Sequence, residues 1–156
     1  MFICDVLVSV WNGKTDIATW TATGGNRPNH ADARNYSAMF DGDPQTYWHG
    51  YMPPNNANYV RNTVTVTFTY PIIFHALTLT ARPSYLPNPE RYQQLCVFVD
   101  DVEESCTSEN RITYAGETIT ISAVVERHAT KIELRYHEEL AAEAAELQIL
   151  YFGKMG

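Results

Sequence analysis

The sequence predicts an all-β domain built as a two-sheet sandwich. Apolar residues recur at every second position in segment after segment. Those segments number about seven or eight, which is the content of a sandwich rather than of a helical or α/β domain. Long stretches rich in turn residues separate them, as such architectures require.

Residues 2–10 read as the first strand. In Thr63-Val64-Thr65-Val66-Thr67-Phe68-Thr69-Tyr70 the threonines fall on one face and the apolar residues on the other. Leu77, Leu79 and Ala81 alternate with Thr78 and Thr80 in a further strand, and Leu95, Val97 and Val99 repeat the pattern. Ile119 and Ile121 follow, then Ile132, Leu134 and Tyr136, and Leu147, Ile149 and Tyr151 make the last strand. Residues 138–147 (EELAAEAAEL) disagree, because every residue there has high helix propensity. A short helical turn or loop is expected in that place. The connections at 23–33, 51–58 and 82–90 carry Gly24-Gly25, Pro53-Pro54, and Pro83 with Pro87 and Pro89. Loops of this length on a rigid sandwich usually carry the binding function.

The 156 residues suit one domain, expected to span the whole chain and, with Met1 read as an added start, to be cut from a longer protein. The first segment is not read as a signal peptide, since Asp5 interrupts it and neither a basic start nor a small-residue cleavage site is present. No apolar run reaches the roughly 20 residues of a membrane helix. Eleven Lys and Arg against eighteen Asp and Glu give a net charge of −7, which argues against nucleic acid and anionic membrane surfaces as partners. Ten Tyr, six Phe and three Trp supply the aromatic side chains that sheets and binding surfaces favour.

Of the three cysteines, Cys96 and Cys106 flank VFVDDVEES, a span that reads as strand, turn and return. A disulfide between them is expected, and it implies an oxidising compartment, extracellular or cell-surface. Two unpaired thiols are the alternative. Cys4 is left over, either core or paired outside this segment.

The stretch from Ser37 to His49 holds the densest chemistry. Asp41-Gly42-Asp43 is a tight turn with two carboxylates, and Thr46 adds a hydroxyl three residues later. Calcium takes six to eight oxygens from such sources, although Asp-Gly-Asp is also a common turn. Asp41-Gly42-Asp43 followed by Thr46, Trp48 and His49 resembles a signature of the discoidin, or coagulation-factor C-type, domains. Their relatives include the galactose-binding carbohydrate modules and fucose-binding lectins. Ala145-Glu146-Leu147-Gln148-Ile149 resembles the opening of that family's last strand, and Trp20 and the strand at 91–99 fall in matching places.

The resemblance implies an eight-stranded jelly-roll β-sandwich of the galactose-binding-domain-like kind, with a structural calcium. Ala38 and Asp43 would give backbone carbonyls, Asp41 and Glu146 carboxylates, Thr46 its hydroxyl, and Ala145 a carbonyl. It also implies a sugar site in which His49, Arg82 and Arg91 hold hydroxyls while Tyr51, Tyr85 or Tyr47 stacks on the sugar ring. Imidazole and guanidinium groups suit vicinal hydroxyls because each offers directed hydrogen bonds. A membrane-docking branch of the family would use Met52, Tyr85 and Leu86, which the acidic balance disfavours.

No catalytic constellation stands out: His30, His75, His128 and His137 are scattered, and no glycine elbow surrounds a serine. Asn35-Tyr36-Ser37 is a glycosylation sequon beside the proposed calcium loop. The expected function is therefore a calcium-stabilised, lectin-like module, not an enzyme, recognising a glycan or glycoprotein with a terminal sugar such as galactose or fucose. A cell-adhesion module that binds protein through the same loops is the alternative.

Overall fold

A computed structural model describes residues 8–23, 33–34, 36–49, 62–83, 93–106, 111–112, 115–136 and 143–153. The strands in chain order are β1 (Ser9–Trp11), β2 (Ala18–Thr23), β3 (Ala33–Arg34), β4 (Tyr47–His49), β5 (Thr63–Thr80) and β6 (Gln93–Val99). They continue with β7 (Val102–Ser105), β8 (Arg111–Ile112), β9 (Thr118–Ser122), β10 (His128–Tyr136), β11 (Glu143–Ala144) and β12 (Glu146–Phe152). A 3-10 turn, Tyr36–Phe40, precedes β4. The architecture is the expected jelly-roll sandwich.

β5 organises it. Its first half pairs with β2 and β10, and β10 pairs in turn with β6. Its second half pairs with β12 and β9, and β12 carries β1. The two stretches expected as separate strands, at 63–70 and 77–81, are therefore one strand of 18 residues. Fully straight it would span roughly 60 Å, more than a domain of this size is wide, so it turns over from one sheet to the other. The turn falls at the exposed pair Tyr70-Pro71, where the β10 register skips from Lys131↔Thr67 to Ala129↔Ile72. Pro71 has no N–H to offer a ladder, and a corner outside the ladder is a place a strand tolerates it.

Alternation decides which side chains fill the space between the sheets. Val64, Val66 and Phe68 face inward from one half of β5, and Phe74, Leu77 and Leu79 from the other. Trp11 meets Phe68 edge-on, ring centroids 6.2 Å apart, and Phe68 packs on Tyr151 at 5.2 Å. These contacts set the middle of β5's first half against the far end of β12.

Both ends of β5 come back to one end of the sandwich. Thr23 pairs with Thr63, and the Tyr136 N–H donates to the Asn62 carbonyl at 3.0 Å. The Tyr136 hydroxyl donates to the Glu143 carbonyl at 3.4 Å, and Glu143 meets Arg82, two residues beyond the other end of β5. At the opposite end Asp100 and Asp101, both left-handed (φ 47° and 67°), form the two-residue hairpin turn between β6 and β7. That hairpin brings Cys96 and Cys106 together with Cα atoms 4.2 Å apart, and the expected disulfide is present.

Two expectations need correcting. Where the first strand is described it is β1, extending past Val10 to Trp11; residues 2–7 lie outside the described residues. The end of the expected helical stretch is extended: Glu143–Ala144 pairs with β4, and β12 starts at Glu146. Helix propensity is worth only a few tenths of a kcal/mol per residue. Two ladders and the complete burial of Ala144 and Ala145 override it here. Residues 138–142 lie outside the described residues, as does Cys4.

Candidate functional site

Two clusters stand beside each other at the end of the sandwich where β5 begins and finishes. The first is the turn before β4. Ala38 and Met39 anchor the 3-10 turn in the core, leaving Asp41-Gly42-Asp43 exposed. Gly42 has φ +74°, a left-handed conformation that a side chain would strain. Asp41 Oδ1 accepts from the Asp43 N–H at 2.9 Å, and Asp43 Oδ1 accepts from the Gln45 N–H at 2.9 Å. The Thr46 hydroxyl donates to Asp41 Oδ2 and lies 3.1 Å from the Asp43 carbonyl. Glu146, first residue of β12, reaches the same turn and hydrogen-bonds with Asp41.

Asp41 and Glu146 thus form a hydrogen-bonded acid pair whose two carboxyls are pushed in opposite directions. Burial pushes the Glu146 carboxyl up to about 7, aided by the Asp41 hydrogen bond and the charges of Asp41 and Asp43. Burial also acts against ionising Asp41, but bonds from the Thr46 hydroxyl and the Asp43 N–H hold it below the usual carboxylate range. Glu146 Oε1 is buried with no hydrogen-bond partner. An orphaned carboxylate oxygen facing two further acids fits a hard cation, whose charge would relieve all three. Among the described residues no three His, Cys, Asp or Glu side chains gather as a metal-binding group. Backbone carbonyls would therefore supply much of the coordination, and the expected set does this through Ala38, Asp43 and Ala145.

The second cluster is buried. β4 and β11 pair Glu143 with His49 and Ala144 with Trp48. Glu143 is 1 % exposed, His49 0 % and Arg82 7 %. Glu143 Oε1 lies 2.9 Å from His49 Nε2 and 3.1 Å from Arg82 Nη1. The Arg82 guanidinium sits over the Tyr47 ring, 4.7 Å from its centroid. Burial raises the Glu143 carboxyl's pKa, but His49 and Arg82 together more than offset this and hold it below the ordinary value.

His49 and Arg82, expected to share a site, are thus brought together. Sequence reasoning missed the residue that joins them. Glu143 lies in an Ala/Glu run with no apolar period to mark an inward-facing acid. Tyr47, a candidate stacking ring, is buried beneath Arg82. Arg91, Tyr51, Tyr85, Met52 and Leu86 lie outside the described residues.

No protein-family model matches the sequence, and no curated protein matches it. Solved structures do match. The family 32 carbohydrate-binding module of Clostridium perfringens NanJ, solved in complex with galactose, aligns over 92 % of this chain and 99 % of its own, with TM-score 0.62 and 16 % identity. A second Clostridium perfringens module, CpGH89CBM32-5, in complex with GalNAc-β-1,3-galactose, aligns over 85 % and 94 %, with TM-score 0.61 and 20 % identity. The C-terminal domain of a Bacteroides fragilis chitobiase aligns over 92 % and 97 %, with TM-score 0.62 and 13 % identity. At such identities the likeness is one of fold, that of the galactose-binding-like carbohydrate-binding modules.

Proposed function

We propose that this chain is a non-catalytic, extracellular carbohydrate-binding module that takes a terminal sugar at the end of the sandwich where β5 begins and finishes. The observation that carries the reading is the convergence of His49 and Arg82 on Glu143. Two hydrogen-bonding side chains from elements 33 positions apart in sequence are held in one place by a buried carboxylate. Structures of the same fold hold galactose and GalNAc-β-1,3-galactose, which supports sugar as the ligand class and galactose-type sugars as the first to test.

In this reading Glu143 fixes the two donors, Arg91 adds a charged donor, and Tyr51 or Tyr85 stacks on the ring. A calcium ion held by Asp41, Glu146, Thr46 and the carbonyls of Ala38, Asp43 and Ala145 pins the turn before β4 to β12. When bound, the ion supplies charge compensation and rigidity only.

A glycan array on the chain, with and without chelator, followed by calorimetry with galactose, tests this. Losing a charged donor to a bound hydroxyl costs roughly 1.5–3 kcal/mol, so Arg91→Ala weakens binding by about tenfold to a hundredfold. The second reading, a protein-adhesion module, is favoured by the burial of His49 and Arg82, which limits their reach to a sugar. A silent array would support it and overturn the first.

A further inference from the structure

The opposite end of the sandwich holds a cavity of about 450 Å³, at the corner where β5 passes between the sheets. From Ile72 to Thr80 the strand covers roughly 30 Å, so this cavity is separate from the His49 cluster. Phe68, Ile72 and Tyr151 are its buried lining, and Asp16 and Tyr70 stand exposed at its mouth. The Thr69 N–H donates to the Ile17 carbonyl at 2.9 Å, which ties the segment carrying Asp16 to the corner carrying Tyr70.

An exposed tyrosine on its own needs no explanation. Tyr70, 70 % exposed, is different in its company. Three aromatic residues line one cavity together with one carboxylate, and among the described residues no Lys, Arg or His lines it. Asp16 makes no hydrogen bond or ion pair among the described residues. Aromatic faces attract cations, the carboxylate supplies a countercharge, and apolar walls accept alkyl substituents. An anion would meet Asp16 with like charge. A sugar would need more directed partners than one carboxylate and two phenols provide. The chain's net charge of −7 also draws cations toward it.

We propose that this cavity binds a small alkylammonium ion, with Tyr70, Tyr151 and Phe68 as its aromatic walls and Asp16 as its counter-ion. The assignment does not depend on the sugar reading, because it uses none of the same residues.

The test is a titration of the whole chain with choline and, in parallel, with 3,3-dimethylbutan-1-ol, which has the same shape without the charge. Aromatic resonances of Tyr70 and Tyr151 are followed by NMR. Choline is expected to shift both saturably, and the neutral alcohol to bind at least about fivefold more weakly. Asp16→Asn and Tyr70→Ala, both surface substitutions, are each expected to weaken choline roughly two- to fivefold. The titration is repeated on Lys154→Gln, which removes the ammonium next along the chain from Gly153. Saturable choline binding in either protein supports the assignment. Its absence in both, equal binding of choline and the alcohol, or indifference to both Asp16→Asn and Tyr70→Ala overturns it.

Discussion

Glu143 meets Arg82 across 61 positions of sequence, Oε1 to Nη1 3.1 Å, and neither side chain is more than 8 % exposed. Removing one partner of a buried ion pair leaves the other uncompensated, at a cost of about 3–5 kcal/mol. Here the one carboxylate serves two partners, Arg82 and His49. Glu143→Ala is expected to lose at least that much in urea denaturation, and Glu143→Gln less because it keeps an acceptor. A loss under about 1 kcal/mol for Glu143→Ala would refute the structural role given to the cluster.

The same carboxylate gives a pH dependence whose sign is fixed. Its folded pKa lies below the ordinary glutamate value of 4.5, so between the two values the unfolded chain binds more protons than the folded one. The stability Glu143 contributes is present above about pH 4.5 and is lost as pH falls through the folded value. The gap between wild type and Glu143→Gln, followed by urea denaturation from pH 7 to pH 3, should therefore hold steady and then narrow. A gap that widens on acidification contradicts the assignment.

Calcium binding is checked by melting with and without chelator. An ion that binds only the folded state adds about 2.7 kcal/mol at a hundredfold excess over its Kd. Chelator is expected to lower the melting temperature of the wild type but not of Asp41→Ala or Glu146→Gln. Identical wild-type curves in both buffers would remove calcium from the account.

The Cys96–Cys106 bond closes a hairpin of sequence separation 10. Loop-closure entropy for so short a span is roughly 2–3 kcal/mol. Cys96→Ser is expected to lose about that amount, and reductant to do the same to the wild type. Non-reducing peptide mapping that recovers both cysteines as free thiols would overturn the bond.

What could be read from the sequence follows from how each element is buried. β6, β10 and the first half of β5 each keep one face inside and one outside, so their alternation was plain. β5 was read as two strands because the alternation lapses at Ile72-Ile73-Phe74, and only the register around Pro71 shows a corner. Residues 143–144 were not read as a strand because alanine's helix propensity is visible in a sequence and a ladder with β4 is not. Asp41, Thr46 and Glu146 could be picked out as oxygen donors by their chemistry and spacing. Glu143 could not, since its partners, His49 and Arg82, lie far away in sequence.

The shared strand β5 also governs how the fold can come apart. With one half laddered to β2 and β10 and the other to β9 and β12, neither sheet can open while the other stays intact without tearing that strand from two neighbours. Amides at Val66 and Leu77, in opposite sheets, should therefore exchange with solvent deuterium at one common free energy, that of global unfolding. The sandwich would then come apart as one cooperative unit, with no stage in which a single sheet is open.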